Sequence, residues 1–380
     1  MNILLTIHHY LDPNAGAPGV TLKLGREFQK LGHHVDYYSF DDLPSQLPEI
    51  VKSIVFPAFV ANHLRTLARN KSIDVIDASS GDAWVWAKLH RNSSDRSLLV
   101  SRSHGLEHVM HLEILAEARQ GNLDLSWKYP LYHGGFRLWE VAQSLTACDL
   151  ALLLNQYDAD YAIHQLGVDS ERARIVTNGI PEGFLNLPVE PTPDADGTLR
   201  IVQVGSYIPR KGIGYGVPAV NQILQQHPQV MMSFMGTGCS EDRVHADFDP
   251  TVRDRVKVTP HYDHELLPSL LQGHHIKLFP TLSEGFSLAL PEAMACGLAP
   301  VTTATPGPME IVRDRINGIL VAPRDTAAIV QALERLIGDR VYLDRLRQSA
   351  HATAQNYDWK QIATNTLILY DQALAKKTNQ

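Results

Sequence analysis

The sequence predicts an α/β protein of two doubly wound domains, each a parallel sheet covered by helices. Three observations carry this. Short apolar runs alternate with helical patterns along the chain, as βα units require. The length of 380 residues suits two domains at about 100–200 residues each. A proline- and acid-rich run, PVEPTPDADG at 188–197, divides the alternation into two series. That run reads as a linker, so the domains are expected at 1–185 and 198–355, across a cleft from each other. No short internal repeat is present.

The first series has strand candidates ILLTI (3–7), HVDYYSF (34–40), VID (75–77), SLLVSRS (97–103), LALLL (150–154) and ARIVT (173–177). A helix from about Val20 to Leu31 fits between the first two, with Gly32 as its C-terminal cap. The second series runs through LRIVQVG (199–205), VMMSFMG (230–236), VKVTP (256–260), IKLFPT (276–281), APVTT (299–303) and GILV (318–321). The stretch YDWKQIATNTLILYDQAL (357–374) has apolar residues at helical spacing. The polar end AKKTNQ is expected to fray.

Composition narrows the function classes. Hydrophobic residues make up 44% and charged residues 20%, which excludes a disordered or fibrous chain. A net charge of −7 argues against nucleic acid as a partner. The acidic balance gives the whole chain no attraction to an anionic membrane. Cys148, Cys239 and Cys296 show no pairing or zinc spacing and fit a reducing cytosol. Residues 1–11 lack the features of a signal peptide and read as a buried strand. No run of about 18 uncharged apolar residues occurs. The expected location is cytoplasmic, with a peripheral place at the inner face of the membrane left open. The adjacent pairs His8-His9, His33-His34 and His274-His275 read as surface or satisfied core histidines.

Ligands of open α/β sheets bind at the carboxyl ends of strands, so the loops there hold the candidate residues. The most informative is TLSEGFSLALPEAMACGLAPV (281–301). A strand ends, Glu284-Gly285-Phe286 follows in a loop, and a helix starts near Leu290-Pro291. Its first turn is an anion site. Glu284 and Glu292 bracket the turn, and carboxylate oxygens suit sugar or ribose hydroxyls. In IVQVGSYIPRKG (201–212), Gly205-Ser206 ends a strand and Arg210-Lys211 follow, a pair suited to a diphosphate. In the loop HHYLDPNAGAPGV (8–20), Gly16 and Gly19 permit close backbone approach. In SRSHGLEH (101–108), His104 follows a strand and is placed to contact a reacting group. The aromatic segment WKYPLYHGGFRLWEVAQSL (127–145) reads as an amphipathic helix with its approach loop, or as an acceptor or membrane surface. Taken singly, each pattern also has a plain structural explanation, such as capping, a solvated basic pair or a flexible loop.

Together these stretches resemble the retaining glycosyltransferases of the GT-B fold, family 4 (glycosyl transferases group 1). The resemblance rests on Glu284 and Glu292 within SEGFSLALPEAMACG. The order of IVTNGI (175–180), VGSYIPRKG, TPGPMEIV (305–312) and NGILV (317–321) adds to it. It implies that Glu292 binds the ribose of a nucleotide, Glu284 the transferred sugar, and Arg210 with Lys211 the donor diphosphate. Backbone amides around Phe286, Ser287 and Leu288 would meet sugar and phosphate, and Gly16, Gly205 and Ser206 would line the donor. His104 would lie near the anomeric centre. It also implies a terminal helix, 357–376, that packs back on the first domain. The first domain would take the acceptor and the second the donor.

The implied enzyme is a retaining, metal-independent transferase of hexosyltransferase type. It needs no cofactor beyond its co-substrate, a nucleoside-diphosphate sugar such as a UDP- or GDP-sugar. The acceptor would be a glycan, a lipid or a small polyol; the oligomeric state is not legible. Three departures stand out: Ala15-Gly16, Ser287 and Pro306-Gly307 replace the family's Gly-Gly, Gly and Gly-Gly. The alternatives are a glycoside hydrolase using Glu284 and Glu292, a GT-B-fold phosphorylase or epimerase, and a catalytically silent nucleotide-sugar-binding protein.

Overall fold

The computed structural model describes residues 1–70, 72–91, 95–121, 123–193 and 197–378. The chain forms two compact units, one of Met1–Asn178 with Trp359–Gln380, the other of Gly179–Asp358. Each is built on a six-stranded, wholly parallel sheet.

In the first unit the strands are β1 (Asn2–Thr6), β2 (His34–Tyr38), β3 (Val75–Ser79), β4 (Leu98–Arg102), β5 (Leu150–Leu153) and β6 (Ala173–Ile175). They lie in the order β2-β1-β3-β4-β5-β6. In the second they are β7 (Leu199–Val204), β8 (Val230–Met235), β9 (Val256–Thr259), β10 (Ile276–Phe279), β11 (Ala299–Thr303) and β12 (Ile319–Val321), in the order β12-β11-β10-β7-β8-β9. Helices cover both faces of a parallel sheet, so its strands are apolar on both sides. All five residues of β3, β4 and β11 are buried, the polar Asp77, Ser79, Ser101, Arg102, Thr302 and Thr303 among them. All twelve expected strands are present.

Helix ends follow local chemistry. The helix Gly16–Lys30 closes in a Schellman motif: Gly32 takes φ +88°, its N–H donates to Gln29 O, and His33 N–H donates to Phe28 O. It begins four residues earlier than the expected Val20, because GAPG is accepted as its first turn. Asn155 caps Gln156–Leu166 by accepting from Asp158 N–H, and Asp325 caps Thr326–Gly338 by accepting from Ala328 N–H.

Two expectations need correction. The division falls after Asn178, not after 185, and the described part of 188–197 is no free linker but belongs to the second unit. Arg347 donates to Gly297 O and Thr192 Oγ1, each at 2.7 Å, and Thr192 donates to Asp344 at 2.9 Å. Residues 194–196 of that run lie outside the described residues. The final helix runs over Trp359–Thr378, so most of the AKKTNQ end is ordered; its last two residues lie outside the description. Lys377 Nζ reaches Asp149 at 3.3 Å. As expected, this helix packs within the first unit. Tyr370 accepts from Arg102 Nη2 at 3.0 Å and donates to Asp77, while Arg102 also holds Asp77 at 2.7 Å. No helix among the described residues is long and apolar enough to cross a membrane.

Candidate functional site

The carboxyl ends of β7 and β10, neighbours in the second sheet, bring the basic pair and the first glutamate together. After β7 the chain makes a short turn, Pro209–Lys211, and enters the helix Ile213–Gln226 through Gly212. After β10 comes the loop of Thr281–Ser287. The loops are stitched by Leu282 N–H to Arg210 O at 2.9 Å and by Arg210 Nη1 to Ser283 O at 2.9 Å. Glu284 Oε1 then receives Arg210 Nη1 at 2.8 Å and Lys211 Nζ at 2.5 Å. One carboxylate oxygen thus collects two cations.

Glycine at 212 is a steric requirement. Its φ is +72°, and a Cβ there would stand 1.8 Å from the carbonyl oxygen of Pro280. The loop of Glu284 is also braced from β11's side. Gly307 N–H donates to Glu284 O at 3.0 Å, and a Cβ at Gly307 would meet that oxygen at 2.6 Å. Of the Pro306-Gly307 departure, the glycine therefore keeps the close approach, and Pro306 opens the helix Pro306–Ile311.

The helix after β10 is Ala289–Ala295, with Pro291 in its first turn as expected. Ser287 precedes it with φ +64°, a left-handed backbone where a side chain is strained. The residue departing from the family's glycine therefore sits where glycine is preferred. The Phe286 ring is buried and lies 5.5 Å from that of Tyr357, so only its backbone is left for a ligand. Glu292 is nearly buried and bonds His264 Nε2 at 2.8 Å. The two glutamates thus have separate partners. Burial pushes the nearby Tyr262 phenol up to about 12, with the Glu292 charge adding to the effect. Gly205, at the end of β7, takes φ +124°, and Ser206 beside it is exposed.

Sequence reasoning missed two groups here. His264 lies in the loop after β9, so the carboxyl-end rule would have found it. Lys277 is fully buried in β10, with Nζ 3.4 Å from Val204 O. Burial, with Lys211 second, holds it well below the usual lysine range. A lysine between Ile276 and Leu278 in an interior strand was the available signal.

The first unit places the other candidates separately. His104 follows β4, and its Nε2 is sealed from solvent without a hydrogen-bond partner among the described residues. Burial, then the Arg102 charge, lowers it to about 3, so it is neutral near pH 7 and offers no positive charge. Gly16 is exposed at a helix start with nothing near its would-be Cβ. Gly19 serves the chain's own packing: a Cβ there would meet Pro13 O at 2.7 Å. The segment 127–145 ends in the helix Arg137–Ala147, as expected. Of the two readings given for His8, surface or satisfied core, the second holds: its Nδ1 lies 2.7 Å from buried Asp82.

Comparison with known proteins bears on the family and the fold. Residues 198–339 match the family model for Glycosyl transferases group 1, and residues 15–183 match that for Glycosyltransferase Family 4. The chain is 26% identical over 248 residues to the D-inositol 3-phosphate glycosyltransferase of Xylanimonas cellulosilytica. That match takes in 62% of this chain and 60% of the relative. The chain spans about half the length of curated relatives such as this one, from 46% to 60%. Among solved structures, sucrose-phosphate synthase of Thermosynechococcus elongatus superposes with a TM-score of 0.76 at 20% identity, covering 99% of each chain. HepE of Anabaena, in complex with UDP, superposes with a TM-score of 0.71 at 18% identity, covering 98% of this chain and 100% of that one. The fold is the two-domain α/β architecture of the GT-B class.

Proposed function

The chain belongs to the family 4 glycosyltransferases, the glycosyl transferases group 1, and on that premise we propose that it moves a sugar from a nucleoside-diphosphate sugar to an acceptor hydroxyl with retention at the anomeric carbon. The observation that carries the reading is the convergence of Arg210 and Lys211 on Glu284 at the carboxyl ends of β7 and β10. A fork and a point cation side by side match a diphosphate.

In this proposal Arg210 and Lys211 leave Glu284 for the donor's phosphates and stabilise the charge that grows on the departing nucleoside diphosphate. Two protein cations supply that charge without a metal. Glu284 turns to the sugar hydroxyls and Glu292 exchanges His264 for the ribose. The backbone of Phe286, Ser287 and Leu288 meets the sugar and phosphates, with Gly205 and Ser206 beside them. The acceptor attacks on the face the phosphate leaves, and the phosphate oxygen takes the acceptor's proton. His104 and Gly16 belong to the first unit, which takes the acceptor. UDP in HepE supports a UDP-sugar as first candidate. The paired cations weigh against a glycoside hydrolase, which has no diphosphate to hold.

Thermal shift against nucleoside diphosphates and their sugars tests this. A ligand at 100 Kd adds about 2.7 kcal/mol to the folded state. A shift with one nucleotide, lost in Glu292→Ala and Arg210→Ala, supports the donor site and names the base. No shift from a folded sample refutes it. Donor binding without transfer or hydrolysis points to the silent binding protein.

A further inference from the structure

The carboxyl edge of the first sheet holds a polar cluster that the donor site does not use. Thr6 Oγ1 donates to Asp82 at 3.0 Å, and His8 Nδ1 lies 2.7 Å from the same carboxylate. Arg137 Nη2 stands 3.0 Å from His8 Nε2 and 3.4 Å from its Nδ1, over the ring. Burial, then the Arg137 charge, holds His8 well below the usual imidazole range, so it is neutral. Arg137 also reaches Glu107 at 3.3 Å and stands 3.7 Å from Glu140.

Three carboxylates therefore share one guanidinium. The surplus is visible atom by atom: Oε2 of Glu107 and Oε2 of fully buried Glu140 have no hydrogen-bond partner among the described residues. Burial pushes both Asp82 and Glu140 up to about 7. Such a cluster calls for hydrogen-bond donors and opposes further negative charge.

Aromatic rings continue from it. Trp84 Nε1 donates to Glu140 Oε1 at 3.0 Å, and its ring meets Trp139 edge to face at 4.9 Å. Trp139 stacks on Phe136 at 5.7 Å, and these two rings are 45% and 37% exposed. Carboxylates beside open ring faces fit a sugar, whose hydroxyls donate and whose C–H face is apolar.

We propose that this edge of the first unit binds an uncharged sugar, with the partly exposed Glu107 accepting its hydroxyl hydrogens and Trp139 stacking on its ring, while buried Glu140 holds Trp84 and Arg137 in place behind them. The inference rests on the transferase reading, in which that sugar is the acceptor. It favours a neutral glycan over a phosphorylated polyol, which would bring charge of the wrong sign.

All five tryptophans, at 84, 86, 127, 139 and 359, lie in the first unit, so 15N-indole spectra of the full chain report on it alone. Trp139→Phe assigns the Trp139 signal. The titrants are glucose, galactose, N-acetylglucosamine and glucose 6-phosphate. The expected result is a saturable shift of the Trp139 signal with at least one neutral sugar, at a concentration at least tenfold below any effect of glucose 6-phosphate. In Glu107→Gln, a partly exposed position, the midpoint rises at least fivefold while the Trp359 signal stays put. A Trp139 signal silent to every neutral sugar, tighter binding of glucose 6-phosphate, or an unchanged midpoint in Glu107→Gln overturns the proposal. Thermal shift against the panel of nucleoside diphosphates runs alongside. If it persists while the sugars are silent, only this inference fails; if it too is absent, the transferase reading fails.

Discussion

Replacing Gly212 by alanine tests whether the approach of two loops builds the donor site. The added Cβ would stand 1.8 Å from Pro280 O and must be pushed out to at least 3.0 Å, the closest that real contacts show. The φ of +72° adds about 1–2 kcal/mol of left-handed strain. Forcing the backbones apart adds about 1–3 kcal/mol. A loss near 3 kcal/mol follows, or roughly 6–12 °C in the melting of a unit this size. Gly214→Ala is the control. It lies two residues on, inside the helix, with nothing near its Cβ. There alanine stabilises by about 0.5–1 kcal/mol. Scanning calorimetry follows the second unit, and tryptophan fluorescence, confined to the first, should be unchanged. The shift also carries Arg210 away from Glu284, and a displacement near 1 Å costs about 10²-fold in rate. Equal melting temperatures for the two variants would refute the steric argument. Intact turnover in a destabilised Gly212→Ala would refute its link to the site.

Arg210→Ala and Lys211→Ala should each lower transfer by about 10²–10³-fold, measured as release of nucleoside diphosphate; a change under threefold in both would remove them from the mechanism. Glu284→Gln removes the carboxylate that holds both cations, so UDP should bind more tightly while kcat falls; weaker UDP binding by calorimetry would contradict this. Ser287→Gly relieves strain of about 1–2 kcal/mol against a glycine entropy of about 0.5–1 kcal/mol. The second unit should then melt slightly higher, and a lower Tm would show that the serine hydroxyl outweighs the strain. Acid should weaken the second unit. Burial lowers His274 to about 4 and His275 to about 3, so below pH 6.5 the unfolded chain binds protons that the folded one refuses. Stability is therefore full above pH 6.5 and falls toward pH 4, by about 1.4 kcal/mol per unit and residue. His275→Gln should flatten the slope of calorimetric stability between pH 7.5 and 5.5; an unaltered slope would rule this out.

The strands were legible because a parallel sheet buried on both faces writes each strand as an apolar run. The glutamate pair and Arg210-Lys211 were legible because each lies within one short stretch of sequence, Glu284 in a loop and Glu292 in the helix that follows it. What sequence could not show is pairing across distance. His8 can be read as a surface or a satisfied core histidine, and its partner Asp82, 74 residues on, is not legible until the chain is folded. His264 acquires meaning only beside Glu292. The run at 188–193 has the composition of a linker, and side chains far along the chain, Arg347 and Asp344 among them, tie it down. Gly16 looked like a site for close approach because a glycine in a loop and one opening a helix read alike.

The return of the last helix to the first unit sets an order on biosynthesis. Residues 179–358 are contiguous and can close their sheet as soon as they leave the ribosome. The first unit is translated earlier but finishes later, because Tyr370 must reach Arg102 and Asp77. At about 5–20 residues per second the wait for those 180 or so intervening residues is roughly 10–40 s. During that interval a nascent chain carries a β4 whose arginine–aspartate pair lacks its phenol cover, and this half-built sheet is the stage most exposed to chaperones and proteases.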